Sequence, residues 1–267
     1  MAIIDLNLFP GGVRKCVTFS YDDGRDDDRR LVSIMNEHGI KGSFHLNSAS
    51  FGRERFITAD EIPALFAGHE VSVHTVTHPF PTRITNAELV REVMDDRRVL
   101  EKWVGYPVRG MSYPYGDYDA RVVGILRTLG IECSRTTKAT GGFALPADPL
   151  VWHPTCHHKA SADLVDPFLA DTRTRQPKLL FLWGHSYEFG NDDNWDLIET
   201  VCARLGGRDD VWYATNIEIV DYLNARRSLR VSADLDIVYN PSAVSVWFTY
   251  KGTDRVEVRP GRTLALA

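Results

Sequence analysis

The sequence lacks the features that mark nucleic-acid-binding and membrane-spanning proteins. It has no basic excess, since 31 Lys and Arg residues stand against 36 Asp and Glu residues and the formal net charge is -5. A nucleic-acid-binding surface is therefore not expected. No apolar run is long enough to cross a membrane. The composition is instead that of an ordinary globular protein, and 267 residues suffice for one large domain with a small appendage.

The chain is also poor in cysteine and shows no visible targeting segment. Its four cysteines have no close pairs, which argues against a disulfide framework. No basic segment followed by a long apolar core opens the chain, so the expected location is the cytoplasm, or outside the cell if the chain was trimmed. We expect a small or neutral molecule as the partner, with neither nucleic acid nor membrane. The sequence leaves the oligomeric state open.

Strand-like apolar runs alternate with amphipathic helices through the first 226 residues. Helices are predicted to end at glycines that directly precede such runs: Gly39, Gly68, Gly130 and Gly206. Thr58 with Glu61 and Thr85 with Glu88 have the form of capping boxes at helix starts. Eight strand candidates over about 210 residues favour a (β/α) barrel over an open sheet.

One predicted helix begins near Glu88 and carries a single apolar stripe. The stripe is formed by four residues at three-to-four-residue multiples: Leu89, Val93, Leu100 and Val104. The polar residues between them are expected on other faces of the helix: Arg91, Asp95, Asp96 and Arg98. This pattern is typical of a helix that packs on a sheet.

The pattern changes after Arg226 and Arg227, where short strand-like runs follow one another without helices between them. Forty residues are few for an independent domain. We therefore predict a barrel domain over residues 1–226 and a small β appendage over residues 227–267.

Polar residues stand where several of the predicted strands end. The relevant groups are Asp22 and Asp23, His74 and His78, Tyr113 and Tyr115 around Pro114, and His185. Barrel enzymes assemble their chemistry at the carboxyl ends of the strands. A catalytic zinc site needs about three nitrogen and oxygen ligands, which Asp23, His74 and His78 can supply. His153 and His157, followed by His158, form a second pair at the same spacing and a competing hypothesis.

In this order, the four segments resemble the metal-dependent polysaccharide deacetylase family, also called the NodB homology family, whose members are carbohydrate esterases. The resemblance implies a distorted (β/α) barrel and one divalent transition metal ion, zinc, held by Asp23, His74 and His78. It further implies that Asp22 is the general base and His185 the general acid. The backbone N–H of Tyr115 would share the oxyanion with the metal. Either His69 or Glu70 could orient a ligand imidazole, and helix-capping or surface contacts are the alternative for both.

The sequence departs from the family pattern at three places. Ser112 occupies the position where the family commonly carries an Arg beside the base. Strand alternation directs Arg109 to the opposite face, so Arg135, at the next strand end, is predicted to pair with Asp22; a solvated surface position is the alternative for both arginines. Trp183 replaces a Leu and would form an aromatic wall against the acyl methyl group.

The third departure concerns the partner of the acid. The motif that usually steadies this His should precede His185, but here it follows as Asp192 to Trp195. Glu188 and Asp196 are possible replacements. The candidate substrate-binding residues are Trp183, Tyr113, Asn47 and Glu188.

The resemblance predicts a hydrolase that removes acetyl groups from N-acetylated amino sugars or oligosaccharides. Two alternatives stay open. One is an amide hydrolase that uses the same fold on a small cyclic or linear amide, and the other is a non-catalytic carbohydrate-binding barrel.

Overall fold

The computed structural model describes residues 3–172 and 176–266, which form a curled parallel sheet, surrounding helices and two small antiparallel sheets. The strands in the described part are β1 (Ile4–Asp5), β2 (Lys15–Asp22), β3 (Gly42–Leu46), β4 (Glu70–Val73), β5 (Gly110–Ser112), β6 (Cys133–Arg135), β7 (Cys156–His157), β8 (Lys178–Gly184), β9 (Val211–Tyr213), β10 (Arg230–Val231), β11 (Ile237–Tyr239), β12 (Val246–Tyr250), β13 (Asp254–Val258) and β14 (Thr263–Ala265). The helices are α1 (Asp28–Glu37), α2 (Ile62–Leu65), α3 (Asn86–Val104), α4 (Ala120–Thr128), α5 (Ala162–Ala170), α6 (Tyr187–Asn191), α7 (Trp195–Leu205) and α8 (Asn216–Ser228).

The main sheet contains eight parallel strands in the order β6-β5-β4-β3-β2-β8-β7, with β9 also paired to β2. On one side of the central strand β2, its first seven residues pair with β8. On the other side of β2, its first half pairs with β9 and its second half pairs with β3. Parallel neighbours need crossover connections, which here contain the helices. All carboxyl ends of the strands therefore lie at one end of the sheet.

A broken segment joins the two edges of this sheet. Trp152 forms a parallel bridge to Arg135 in β6, and its N–H donates to Ser134 O at 3.0 Å. Four residues later, β7 pairs with β8. The curled sheet is therefore closed by a discontinuous strand, and the predicted α/β fold, a distorted (β/α) barrel, is confirmed.

The predicted helix ends are confirmed at Gly39, Gly68 and Gly130, whose φ values are 65°, 86° and 75°. The helix end at Gly206 is confirmed too, since α7 ends at Leu205 and Gly206 is its C-cap, but the φ of Gly206 is -71° and Gly207 takes the left-handed conformation instead. Gly206 meets a different requirement. A Cβ at this position would lie 2.5 Å from the carbonyl oxygen of His38, so the close approach of two backbones excludes a side chain.

Helix α3 packs on the sheet through its predicted apolar stripe. Leu89, Val93 and Leu100 are fully buried, and the capping box of Thr85 with Glu88 is present at its start. The expectation for Asp96 is wrong, because its side chain is also fully buried. Position 96 lies three residues after Val93 and four before Leu100, so it shares their face of the helix.

The C-terminal strands form two three-stranded antiparallel sheets, β1-β12-β13 and β10-β11-β14. They share a small core of four buried residues: Val238, Phe248, Tyr250 and Val258. The first sheet includes β1, from the opposite end of the chain. Shortly after β1, Leu8 O accepts a hydrogen bond from the Tyr222 hydroxyl of α8 at 2.7 Å. The proposed division at residue 226 stays a prediction. In the described part of the chain, every helix is too short or too polar to cross a bilayer.

Asp28, in the first turn of α1, is a buried carboxyl group. It is 1% exposed, and neither of its oxygens has a hydrogen bond of normal geometry among the described residues. Burial raises the pKa of Asp28 to about 8; the Ser186 hydroxyl lowers this pKa in part, and the charge of Asp23 adds to the rise. Asp28 is therefore neutral in the folded protein below about pH 8.

Because of this shift, we expect Asp28→Asn to stabilise the metal-free protein at pH 8 but hardly at pH 4. In the unfolded chain the carboxyl ionises near its ordinary pKa of about 4, whereas in the folded protein it keeps its proton until about pH 8. The contribution to stability is therefore complete below about pH 4 and is lost as pH rises towards 8. Each pKa unit corresponds to about 1.4 kcal/mol.

Thermal unfolding at pH 4, 6 and 8 measures the effect. The matched control is Asp163→Asn, which makes the same change on an exposed side chain. If the Tm of Asp28→Asn followed that of the wild type in parallel at all three pH values, the assignment of a neutral buried Asp28 would be wrong.

Candidate active site

A cavity of about 510 Å³ lies at the carboxyl end of the barrel strands. Polar residues from three strand ends meet in it: Asp22, Asp23, His74, His78 and His185. Aromatic side chains form most of the remaining wall: Phe56, Tyr113, Tyr115, Trp183 and Tyr187. The structure therefore brings together the residues that were singled out at separate strand ends.

Asp23, His74 and His78 form a compact group of ligand atoms. One atom from each lies within 4.8 Å of the other two. The Nε2 atoms of His74 and His78 lie 3.6 and 3.8 Å from Asp23 Oδ1. Asp23 and His78 both have positive φ, 81° and 59°, a conformation that non-glycine residues seldom adopt. Such backbone strain is common where a structure must aim side chains at one point.

The surroundings of His74 leave one ring nitrogen available as a ligand. Its Nδ1 lies 2.9 Å from Ser112 O and 2.7 Å from Ser112 Oγ, so the Nδ1 proton is donated to Ser112 and Nε2 faces Asp23. Burial lowers the pKa of His74 more than the nearby Asp22 and Asp23 carboxylates raise it. A neutral imidazole with a lone pair at Nε2 results. Two imidazoles and one carboxylate match the donor set of a divalent transition metal site, so these residues fit such an ion.

Asp96 and Asn47 hold the loop of His74, a role that the sequence did not predict for either residue. Asp96 accepts hydrogen bonds from His74 N–H at 3.1 Å and from Ser48 N–H at 2.8 Å. Asn47, expected to bind substrate, lines the cavity but donates its amide to the carbonyl oxygens of His74 at 2.5 Å and Thr75 at 2.9 Å. The position of Asp96 in the apolar stripe of α3 was the available signal, since a buried carboxyl group requires partners.

His69 and Glu70 do not contact the ligand imidazoles. His69 accepts a hydrogen bond from Gly42 N–H at 3.1 Å through Nδ1. Glu70 accepts from Ser43 at 2.6 Å and from the N–H of Ile217 at 2.9 Å, near the start of α8. Both therefore lie towards the other end of the barrel.

Asp22 is held by two neighbours inside the barrel. Arg135 Nη2 donates to Asp22 Oδ2 in a buried ion pair. Ser112 Oγ donates to Asp22 Oδ1 at 3.0 Å. Burial raises the pKa of Asp22, but the Arg135 guanidinium outweighs it and holds the pKa well below its usual range. The carboxylate is therefore ionised throughout the neutral pH range.

Arg109 lies at a different place. Its guanidinium pairs with Asp221 at 2.7 Å and Glu132 at 3.0 Å, and its side chain is 28% exposed. Arg109 directly precedes β5, whereas Ser112 is the last residue of that strand, so strand alternation separates their side chains. Of the two arginines, Arg135 is therefore the one that contacts Asp22.

Trp183 and Arg135 are in direct contact. The guanidinium carbon of Arg135 lies 4.3 Å from the centre of the Trp183 ring, which is a cation–π geometry. The centre of the His157 ring lies 4.8 Å from that of Trp183, and the two rings are perpendicular. Trp183 therefore covers the buried arginine and, at the same time, forms part of the cavity wall.

His185 follows β8 and has Glu188 of α6 beside it. Glu188 Oε2 lies 3.4 Å from His185 Nδ1 and accepts from His185 N–H at 3.2 Å. Burial lowers the pKa of His185, but the hydrogen bond to Glu188 and the charges of Asp22 and Asp23 outweigh it, so the pKa is raised. Glu188, expected among the substrate-binding residues and as a partner of the acid, therefore lies behind His185.

The remaining candidates occupy the rim and the wall. Tyr113 is buried, and its hydroxyl donates to Leu150 O at 2.7 Å. Tyr115 has φ 58°, is 57% exposed and stacks on Phe80 with ring centres 3.9 Å apart. His153 bonds Thr136 Oγ1 at 2.6 Å and is absent from both compact ligand groups of the described residues, so the competing pair with His157 does not form one site.

Comparisons with known proteins agree on one family. A family model described as polysaccharide deacetylase matches residues 11–134, which include Asp22, Asp23, His74 and His78. Chitin deacetylase 1 of Cryptococcus neoformans var. grubii is 31% identical over 137 residues, or 50% of this chain and 28% of that protein. A peptidoglycan-N-acetylglucosamine deacetylase of Bacillus cereus is 23% identical over 106 residues, or 39% and 47% of the two chains. The chain thus spans less than half the length of these curated relatives.

Among solved structures, a putative polysaccharide deacetylase from Mycobacterium smegmatis has the same fold. Its TM-score is 0.62 at 14% identity, covering 85% of this chain and 96% of that one. Arg135, Trp183 and His185 lie outside the residues that the family model matches. The contacts of these three residues are therefore known from this structure and not from the match to the family model.

Proposed function

We propose that the protein is a metal-dependent hydrolase that removes acetyl groups from N-acetylated amino sugars or oligosaccharides, because a family model described as polysaccharide deacetylase matches residues 11–134. The observation that carries the proposal is the convergence of a three-residue ligand group, an ionised carboxylate and an imidazole of raised pKa on one cavity. Amide hydrolysis needs a base for the attacking water, stabilisation of the oxyanion and an acid for the departing amine.

Asp23, His74 and His78 would hold the metal ion, with zinc as the proposed ion. When bound, such an ion makes water a better nucleophile and polarises the acyl oxygen. Asp22 takes the proton from the attacking water. Its Oδ2 is held by Arg135 and its Oδ1 by Ser112, so the carboxylate is fixed in orientation and kept ionised.

His185 donates a proton to the nitrogen of the departing amine. Its raised pKa keeps a larger fraction of imidazolium near neutral pH than an unperturbed His would have. Glu188 behind it fixes the ring through Nδ1, which leaves Nε2 for the substrate. The backbone N–H of Tyr115 is the proposed second contact of the oxyanion.

The aromatic residues suit a sugar substrate. The exposed Tyr115 ring is supported from behind by Phe80, and sugar faces pack well on such rings. On another side of the cavity, Arg25 lies over the rings of Phe56 and Tyr187 at 4.4 and 5.0 Å. The indole of Trp183 would narrow the space for the acyl group, which favours acetyl over larger acyl groups.

We expect the wild-type protein, loaded with zinc and dialysed against metal-free buffer, to retain about one equivalent. His74→Ala should retain much less, because a catalytic site of three protein ligands loses one of them. Elemental analysis measures the content, and His153→Ala is the control, since His153 lies outside the ligand group. Undiminished metal in dialysed His74→Ala would contradict the assignment.

Acetate release from N-acetylated chitooligosaccharides tests the activity itself. The zinc-loaded protein should release acetate, and a small cyclic imide should stay intact. Hydrolysis of the imide without acetate release would favour a small-amide hydrolase. Oligosaccharide binding without either reaction would favour a non-catalytic barrel and overturn the proposal.

A further inference from the structure

A second compact group of ligand atoms lies beside the first. His157 at the end of β7, His185 after β8 and Glu188 in α6 each offer one atom within 4.8 Å of the other two. His157 Nε2 lies 3.0 Å and His185 Nδ1 lies 3.4 Å from Glu188 Oε2. The three side chains are 25%, 23% and 20% exposed, so solvent reaches the group.

We propose that His157, His185 and Glu188 form a second site for a divalent transition metal ion, and that an ion bound there stops His185 from acting as the acid. The donor set is again two imidazoles and one carboxylate, which is suited to zinc. The binding part of this proposal stands on the geometry alone. The inhibitory part rests on the proposed function of His185.

The hydrogen bonds of His157, His185 and Glu188 permit these residues to bind a metal ion. One carboxylate oxygen of Glu188 faces His157, His185 and, at 3.5 Å, His158. Ring protons of several imidazoles would have to share Glu188 Oε2 as their one acceptor. A single cation could instead bind this oxygen together with ring nitrogens of His157 and His185. His157 Nδ1 accepts only a long 3.4 Å bond from Lys159 N–H, so the ring can change tautomer and present its Nε2 lone pair.

Nearby charges make this site weaker than the first. Lys159 Nζ lies 3.6 Å from Glu188 Oε1, although it also pairs with Asp192 at 2.7 Å. A cation at the second site meets this ammonium group, whereas the first site has the carboxylates of Asp22 and Asp23 close to His74. The first site should therefore fill first, and the second only at higher metal concentration.

Occupancy of the second site replaces a proton at His185 Nδ1 with the metal ion. A metal ion binds the lone pair at His185 Nδ1, so the ring cannot also carry a proton on that atom and exist as imidazolium. The ring then carries a proton only at Nε2, and giving this proton to the departing amine would leave a metal-bound imidazolate, so the ring is a much weaker acid than imidazolium. Excess zinc is expected to inhibit without displacing the ion at Asp23, His74 and His78.

Equilibrium dialysis against rising zinc chloride tests the binding directly. The wild type and His153→Ala should bind two equivalents, whereas His157→Ala should bind one. The affinity of His157→Ala for a second zinc ion should fall by more than about 10-fold, because loss of even an outer partner of a ligand commonly costs ~10- to 100-fold. The zinc concentrations that just saturate the wild type should therefore leave the second site of this variant largely empty. His74→Ala should keep the weaker equivalent. A wild type that saturates at one equivalent, or His157→Ala that binds two, would overturn the proposal.

Activity measured at the same zinc concentrations tests the inhibition. Each protein is compared with its own rate at one equivalent, and His157→Ala should need more than about 10-fold more zinc for half inhibition than the wild type. Equal inhibition of both would overturn the inhibitory part. If the protein proved to be no deacetylase, the dialysis result would still decide whether the second site exists.

Discussion

Asp22→Asn is expected to reduce acetate release from N-acetylated chitooligosaccharides by about 10²- to 10⁴-fold, the usual contribution of a general base. The variant should still retain one equivalent of zinc after dialysis, because Asp22 is not a member of the ligand group formed by Asp23, His74 and His78. The kcat and the metal content are measured on the same preparation. Loss of kcat with unchanged metal separates the base from the ligands.

The buried pair with Arg135 requires a control for folding. An Asn at position 22 leaves the guanidinium of Arg135, 1% exposed, without its carboxylate. Breaking a buried ion pair commonly costs about 3–5 kcal/mol. The double variant Asp22→Asn with Arg135→Met removes that charge and should recover much of the stability in urea unfolding, yet remain inactive. A folded Asp22→Asn protein with full turnover would show that Asp22 is not the base.

Much of the barrel could be predicted because its signals are local. Each strand is a short apolar run, and capping residues such as Thr58 and Thr85 mark where helices begin. The closure of the sheet could not be predicted in this way. It depends on one bridge from Trp152 to Arg135 and on the two-residue strand β7, which have no periodic pattern. The pairing of β1 with β12 joins opposite ends of the chain and likewise has no local signal.

The grouping of Asp23, His74 and His78 could be predicted for a topological reason. Parallel strands end on the same side of a sheet, so polar residues that follow separate strands must meet. The hydrogen bonds that hold these residues in place depend on side-chain directions, which cannot be predicted from the sequence. Ser112 illustrates this difference: it was noted for the Arg that it replaces, but in the structure it links His74 Nδ1 to Asp22 Oδ1.

Two departures from the family pattern depend on each other physically. Arg135 donates to Asp22, to Ser20 Oγ at 3.0 Å and to Thr136 O at 3.2 Å, so its polar atoms have partners inside the barrel. The face of the guanidinium is covered by Trp183. A Leu in place of Trp183 would leave this face without an aromatic partner. Trp183 therefore completes the contacts of the Arg135 side chain inside the barrel.

Arg135→Met is expected to shift the acidic limb of the pH–rate profile to higher pH. Asp22 must be ionised to accept a proton, so activity rises with pH through the pKa of Asp22. The guanidinium opposes the effect of burial and holds this pKa down, and its loss therefore raises the pKa. Met keeps the aliphatic stem, so the packing beneath Trp183 is largely preserved.

Arg109→Met is the matched control, because it makes the same substitution at an arginine that directly precedes β5 and pairs with Asp221 instead of Asp22. Its partners are Glu132 and Asp221, 36% and 40% exposed, and pairs of this kind contribute about 0–1 kcal/mol. This variant should leave the acidic limb in place and lower the free energy of unfolding slightly. If Arg109→Met moved the limb and Arg135→Met did not, the ion pair between Arg135 and Asp22 could not be what keeps the base ionised. The restraint on Asp22 would then have to come from Ser112 and the neighbouring imidazoles.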